Sequence, residues 1–207
     1  MLLKNSEAIM NKSKTKILKQ QKVFPWWLGY LLDNPLRRLL HPAEKLLAPY
    51  VKNGMTTLDY GCGFGHYSIG MAKLTGRNGK VIAVDIQKKM LSRMMTRAGK
   101  AGVDKIIKAH LCDGKSIGIS DRLDFAVISN SLHETPNPSD ILREIFTLLK
   151  PDGILLLLEP KAVKKYFNSE VETAKNIGYI QMKEPVIFKQ LTAIFRKKGV
   201  DGTSDMD

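Results

Sequence analysis

Beyond residue 55, apolar and polar positions along the chain switch repeatedly between a two-residue and a helical period, and the switching predicts an architecture. Short apolar runs of strand length occupy residues 56–60, 81–84, 106–111, 124–129 and 154–158. Helical spacing fills residues 68–74, 87–98 and 139–149, the last with Ser139 as its N-cap, and residues 150–153 read as a turn. Strands and helices alternating at this interval imply a parallel sheet with helices on both faces. Such a sheet binds ligands at the carboxyl ends of its strands. The rhythm then changes: a helix over residues 169–176 precedes two runs, 179–184 and 190–196, close enough to pair as an antiparallel hairpin.

Before residue 55 the pattern is different. Residues 1–22 are polar, and residues 23–32 gather both tryptophans, Trp26 and Trp27, beside Tyr30. Asp33-Asn34-Pro35 interrupts that run, a helical spacing resumes over residues 36–40, and Pro42 can start a helix reaching about residue 48. The division expected is a basic arm over 1–22, a helical lid over 23–42, one domain over 43–199 and a polar tail over 200–207.

Composition narrows the picture without naming a function. A chain of 207 residues with 43% apolar and 26% charged positions suits one globular domain. No apolar run is long enough to span a bilayer and no signal-peptide core develops, so a cytoplasmic protein is expected. The two cysteines, Cys62 and Cys112, have no ligand spacing and read as free thiols; the four histidines are scattered, and no bound metal is expected. The formal charge is +13, of which the arm contributes +5 from six lysines and one glutamate. A lysine arm can bind nucleic acid by counterion release, but this one lacks arginine and aromatic interleaving, so a solvated extension is favoured over a nucleic-acid partner.

The chemistry concentrates at Asp59-Tyr60-Gly61-Cys62-Gly63-Phe64-Gly65, directly after the first strand. A dinucleotide fingerprint would require glycine at position 66, which is histidine. An acidic residue two places before the first of three alternate glycines resembles the first motif of class I S-adenosylmethionine-dependent methyltransferases. That cofactor has no phosphate, so its turn gives close backbone approach to a nucleoside and an amino acid instead of cradling an anion.

Other positions strengthen the resemblance, which spans about residues 43–197. Asp85, with Ile86 beside it, matches the acceptor for the ribose hydroxyls. Asp113, flanked by Cys112 and Gly114, matches the acceptor for the adenine amino group. Lys150-Pro151-Asp152-Gly153 is similar to the family's Leu-x-Pro-Gly-Gly turn, with Asp152 in place of one glycine. The resemblance therefore implies an α/β, Rossmann-like three-layer sandwich, with a seven-stranded, mostly parallel sheet and a C-terminal antiparallel hairpin. It places S-adenosylmethionine against Asp59, Tyr60, Gly61, Cys62, Gly63, Gly65, Asp85, Ile86, Cys112, Asp113, Gly114 and Asn130, leaving S-adenosylhomocysteine as product. Taken singly, Asp85 or Asp113 would read as an ordinary helix cap. Cys62 reads as a small residue tolerated in the turn, His110 as structural, and His66 as either an exposed side chain or a gate to the methionine end.

Methyl transfer from a sulfonium asks the protein mainly to aim the acceptor and exclude water. After the fourth strand the chain reads Asn130-Ser131-Leu132-His133-Glu134, not the Asn/Asp-Pro-Pro-aromatic of enzymes that methylate adenine amino groups. It resembles small-molecule methyltransferases of the ubiquinone/menaquinone and arsenite type, and two cysteines are too few to hold arsenite. His133 is the candidate base or acceptor-orienting group, ahead of Glu134 and Glu159; packing under the lid is its other reading. Residues 24–40 resemble the N-terminal element of a group of uncharacterised prokaryotic methyltransferases sharing Phe-Pro-Trp-Trp, whose aromatic residues would wall the acceptor pocket, cap the core or form a dimer contact. A small-molecule acceptor is the leading expectation. The alternatives are an RNA or protein acceptor reached through the arm, and a non-catalytic S-adenosylmethionine-binding module; monomer and homodimer both stay open.

Overall fold

The computed structural model describes residues 42–183 and 190–199. Its apolar runs become strands and the segments between them become helices, in the order α1 (Ala43–Leu47), β1 (Thr56–Tyr60), α2 (His66–Thr75), β2 (Lys80–Asp85), α3 (Lys88–Lys100), β3 (Ile107–Leu111), β4 (Leu123–Ser129), α4 (Pro138–Leu148), β5 (Leu149–Pro160), α5 (Lys164–Ile177), β6 (Tyr179–Gln181) and β7 (Gln190–Lys197). The seven strands form one sheet in the order β3-β2-β1-β4-β5-β7-β6. β1 to β5 pair in parallel, and β7 runs antiparallel to both β5 and β6. The order reverses between β1 and β4, which opens a crevice at their carboxyl ends.

Burial on both faces explains why the central strands are apolar almost throughout. Leu58, Ile82, Ile128 and Leu157 point to one face, where Ile141 and Ile145 of α4 and Phe167 of α5 cover them. Val81, Ala83, Val127 and Leu156 point to the other, under Met71 of α2 and Met94 of α3. Each layer follows from helix periodicity: α3 buries Met90, Leu91, Met94 and Ala98, one stripe of its surface.

The predicted α/β sandwich and its terminal hairpin are both present, with local differences. α4 starts at Pro138, with Asn137 in the cap position that was expected for Ser139. Proline suits the first helical position because its missing N–H has no partner there anyway. Residues 150–153 belong to β5, whose strand begins at Leu149 and passes through Asp152 at φ 61°. α5 begins at Lys164, five residues before the expected start at 169, and its first turn already carries Phe167, the first residue of the stripe that it buries. The expected basic arm, the Trp26, Trp27 and Tyr30 lid and the polar tail lie outside the described residues.

Candidate active site

The glycine turn leaves β1 at the switch point. Its path is set by backbone bonds: the N–H groups of Gly61 and Cys62 both donate to the Val84 carbonyl at 2.9 Å, and Gly65 donates to Cys62 at 2.8 Å. Gly61, Gly63 and Gly65 all have positive φ, at 70°, 51° and 77°. Each glycine has its own steric reason. A Cβ on Gly61 would overlap the Ser131 side chain and one on Gly65 would overlap Met94, whereas one on Gly63 would meet nothing within 4 Å. Gly61 and Gly65 thus let the protein close on itself, and Gly63 lets something else come near.

Asp59 and Asp85 stand on either side of this turn. Asp59 is 1% exposed and its Oδ2 accepts from Ser68 Oγ of α2 at 2.5 Å, so it ties β1 to the helix after the turn. Burial pushes its carboxyl up to about 7. Asp85 accepts from Gly63 N–H at 2.9 Å and from Gln87 N–H at 2.8 Å, one bond to each carboxylate oxygen. Burial raises this carboxyl too, against the backbone donors that favour its charge. Beside it, Ile86 is 42% exposed, an apolar side chain at the rim where a planar ring can stack.

The third strand end is open to solvent. Asp113 Oδ1 accepts from Lys115 N–H at 2.9 Å and Ser116 N–H at 3.1 Å, and these donors hold the carboxyl below its ordinary value. Cys112 is tied to the Asp85 carbonyl at 3.2 Å, and Gly114 lies against Ile86. Asp85, Ile86, Cys112, Asp113 and Gly114 are therefore brought together. Tyr60 and Cys62 are buried, and burial pushes the phenol and the thiol up.

Across the crevice, Asn130 follows β4 with φ 55°, a conformation that asparagine tolerates better than most residues. Its N–H is bonded to Leu158, while its buried Oδ1 has no hydrogen-bond partner. The following Ser131 Oγ donates to the Tyr60 carbonyl at 3.0 Å and so joins this turn to β1. A short turn, Leu132–Glu134, then presents His133. Fully buried Glu159, at the end of β5, accepts from Leu132 N–H at 3.1 Å and holds His133 Nδ1 at 2.7 Å from its Oε2. The carboxylate fixes Nδ1 as the protonated nitrogen and leaves Nε2 with a lone pair. The bond to Glu159, outweighing burial, raises the His133 pKa.

The sequence reading ranks Glu159 below His133, and the structure joins the two side chains by a hydrogen bond. It gave no role to Glu170 of α5, a buried carboxyl beside this pair, or to Ser68, the partner of Asp59. A carboxylate in an otherwise apolar helix stripe was the available signal for Glu170. A separate cavity of about 440 Å³ lies between α1, α2 and α3, bordered by Gly65, His66, Lys73, Arg97 and Lys100, away from the β4 and β5 ends. Among the described residues there is no group of three or more side chains suited to a metal and no helix long and apolar enough to cross a membrane.

Comparison with known proteins bears directly on this geometry. A demethylmenaquinone methyltransferase from Lactobacillus johnsonii is 34% identical over 110 residues, covering 53% of this chain and 45% of that protein. The chain thus spans about half the length of the curated relatives it matches. The crystal structure of a SAM dependent methyltransferase from Aquifex aeolicus superposes with a TM-score of 0.73 at 25% identity, over 84% of this chain and 98% of that one. An arsenic (III) S-adenosylmethionine methyltransferase from Chlamydomonas reinhardtii has a TM-score of 0.59 at 18% identity, covering 74% and 66%, a likeness of fold alone. The model described as "Methyltransferase domain" matches residues 51–199, and with that match the chain belongs to the methyltransferase domain family.

Proposed function

We propose that the protein transfers a methyl group to a small-molecule acceptor, held between the glycine turn and the Asn130–His133 side of the crevice. The observation that supports it most is the meeting of two unlike half-sites at one switch point. On one side a glycine turn is gripped by Asp85; on the other the unpartnered Asn130 Oδ1 stands beside a His133–Glu159 pair. The names of the curated relatives, demethylmenaquinone methyltransferases, support a small organic acceptor over a macromolecule.

The residues fit the cofactor. Asp85 has lone pairs beyond the two it uses, suited to ribose hydroxyls, and Asp113 Oδ2 can accept from an adenine amino group. Ile86, Cys112 and Gly114 would flank the ring, and Tyr60, Gly61, Cys62, Gly63 and Gly65 would shape the approach to the amino acid end. Asp59 would support that end from behind through Ser68. Asn130 Oδ1 would gain the partner it lacks. When bound, S-adenosylmethionine supplies a methyl group already activated by the sulfonium. The chain's share is to orient the acceptor, exclude water and take up any proton released. His133 is the group placed for the last task, with Nδ1 anchored on Glu159 and Nε2 3.9 Å from Glu134 Oε1, beyond hydrogen-bond reach.

Incubation with methyl-labelled cofactor and a fractionated cell extract tests the reading. Label is expected in the small-molecule fraction. Label confined to RNA or protein would overturn the acceptor class, and bound cofactor with no transfer to any fraction would overturn the activity.

A further inference from the structure

α5 buries Phe167, Glu170 and Ala174, three positions of one helical stripe, and two of them are apolar. Glu170 is 4% exposed, and neither of its carboxyl oxygens has a hydrogen-bond partner. A carboxyl left unpaired in the interior is costly, and an apolar side chain would fill the stripe without that cost. The charged groups that act on it are Glu159, from the end of β5, and His133, from the turn after β4. His133 in turn feels Glu159, Glu134 and Glu170. The three groups Glu170, Glu159 and His133 therefore form one interacting cluster, with Glu159 and Glu170 buried and His133 on the turn after β4.

We propose that Glu170 is a positioning residue of the site: together with Glu159, it sets the basicity of His133, so that the array takes up the proton of an acceptor hydroxyl or amino group. The proposal rests on the methyl-transfer reading above. In the step it serves, the acceptor's attacking atom bonds the methyl carbon as the carbon–sulfur bond breaks, and that bond's electron pair stays on sulfur. The acceptor's proton goes to His133 Nε2, and the ring, still donating from Nδ1 to Glu159, becomes an imidazolium. Ionised Glu170 adds its negative charge to that of Glu159 and stabilises that imidazolium; protonated Glu170 does not. Burial, reinforced by the charge of Glu159, pushes the Glu170 carboxyl up to about 7, so the change falls near neutrality.

The test follows the His133 ring by nuclear magnetic resonance as pH is varied, in the cofactor-free full chain, with the signal assigned from a His133→Asn variant. Wild type is expected to titrate in two steps, one of them belonging to Glu170. Glu170→Gln should titrate in one step with its midpoint lowered by roughly 0.5 to 1 pH unit, and Glu170→Asp should restore the second step. A single step in wild type, or an unmoved midpoint in Glu170→Gln, would overturn the proposal. Should Glu170→Gln fail to fold, infrared difference spectra of wild type decide: a protonated carboxyl band that is lost near neutrality supports the role, and its absence removes it. The outcome is separate from the labelling experiment. Two-step titration without methyl transfer would sink the activity, whereas transfer with a one-step titration would sink only the role of Glu170.

Discussion

Gly61 shows how a single residue joins the two halves of the site. Its positive φ disfavours any side chain, and a Cβ there would strike Ser131, the residue that bonds back to Tyr60. Gly61→Ala is expected to destabilise the fold by about 1–3 kcal/mol and to weaken cofactor binding. Adding Ser131→Gly should recover the steric part alone, which chemical denaturation can measure. Asp85→Ala removes the acceptor for Gly63 and Gln87 N–H together with the acceptor proposed for the ribose hydroxyls. Calorimetry should show cofactor affinity falling by roughly 10- to 100-fold, the scale of charge-assisted bonds worth about 1.5–3 kcal/mol. Unchanged affinity would place the cofactor elsewhere. The aspartates at the first three strand ends were legible in the chain because each follows an apolar run. Their environments were not: Asp59 is sealed against Ser68 while Asp113 is open to solvent, a contrast that depends on which helix covers each strand end.

At the level of elements, the apolar runs located all seven strands and the helices between them; the central strands were the plainest, because a strand buried on both faces must be apolar almost throughout, whereas the edge strands β3 and β6 are largely exposed. Boundaries were less legible at the start of α5, where two lysines precede the buried Phe167, and where a turn-like sequence was drawn into a strand, as at residues 150–153 in β5. Pairing within the last hairpin drew β7 between β5 and β6, so the sheet order 5-7-6 follows from antiparallel bonding over Ile154–Arg196 and its neighbours. α4 carries one testable consequence. Ile141 is 1% exposed against the β4 and β5 side of the core, and Ile141→Ala should cost about 2–5 kcal/mol by thermal or urea unfolding. The cofactor affinity of the fraction that remains folded should stay near wild type, because α4 supports the sheet beneath the site and does not line it.

For the whole molecule, the buried acids have a common effect on stability. Asp59 and Glu170 both have carboxyls raised to about 7, so the unfolded chain gives up those protons first as pH rises. Stability present below their unfolded values is then lost as pH rises through about 7. His133, also raised, contributes stability below its unfolded value of 6.5 that is lost as pH rises through its folded value. All three act in the same direction, so the thermal midpoint should fall between about pH 5.5 and about pH 8. The lowered carboxyls of Glu44, Asp113 and Asp121 act oppositely, losing their contribution only in acid. A midpoint that rises over the neutral window would contradict these burial assignments.

The chain by itself determined the strand and helix sequence, the glycine turn and the acidic residue at each of the first three strand ends, because periodicity, positive-φ turns and strand-end placement are local properties written in residue order. It also carried the methyltransferase resemblance that the family match bears out. Only the tertiary structure decided which polar groups meet. Glu159 finds His133 from another strand 26 residues away, and Glu170 arrives on α5, a helix packed on β5. Neighbours of that kind are created by the folding of the sheet and its layers, and no spacing along the chain encodes them.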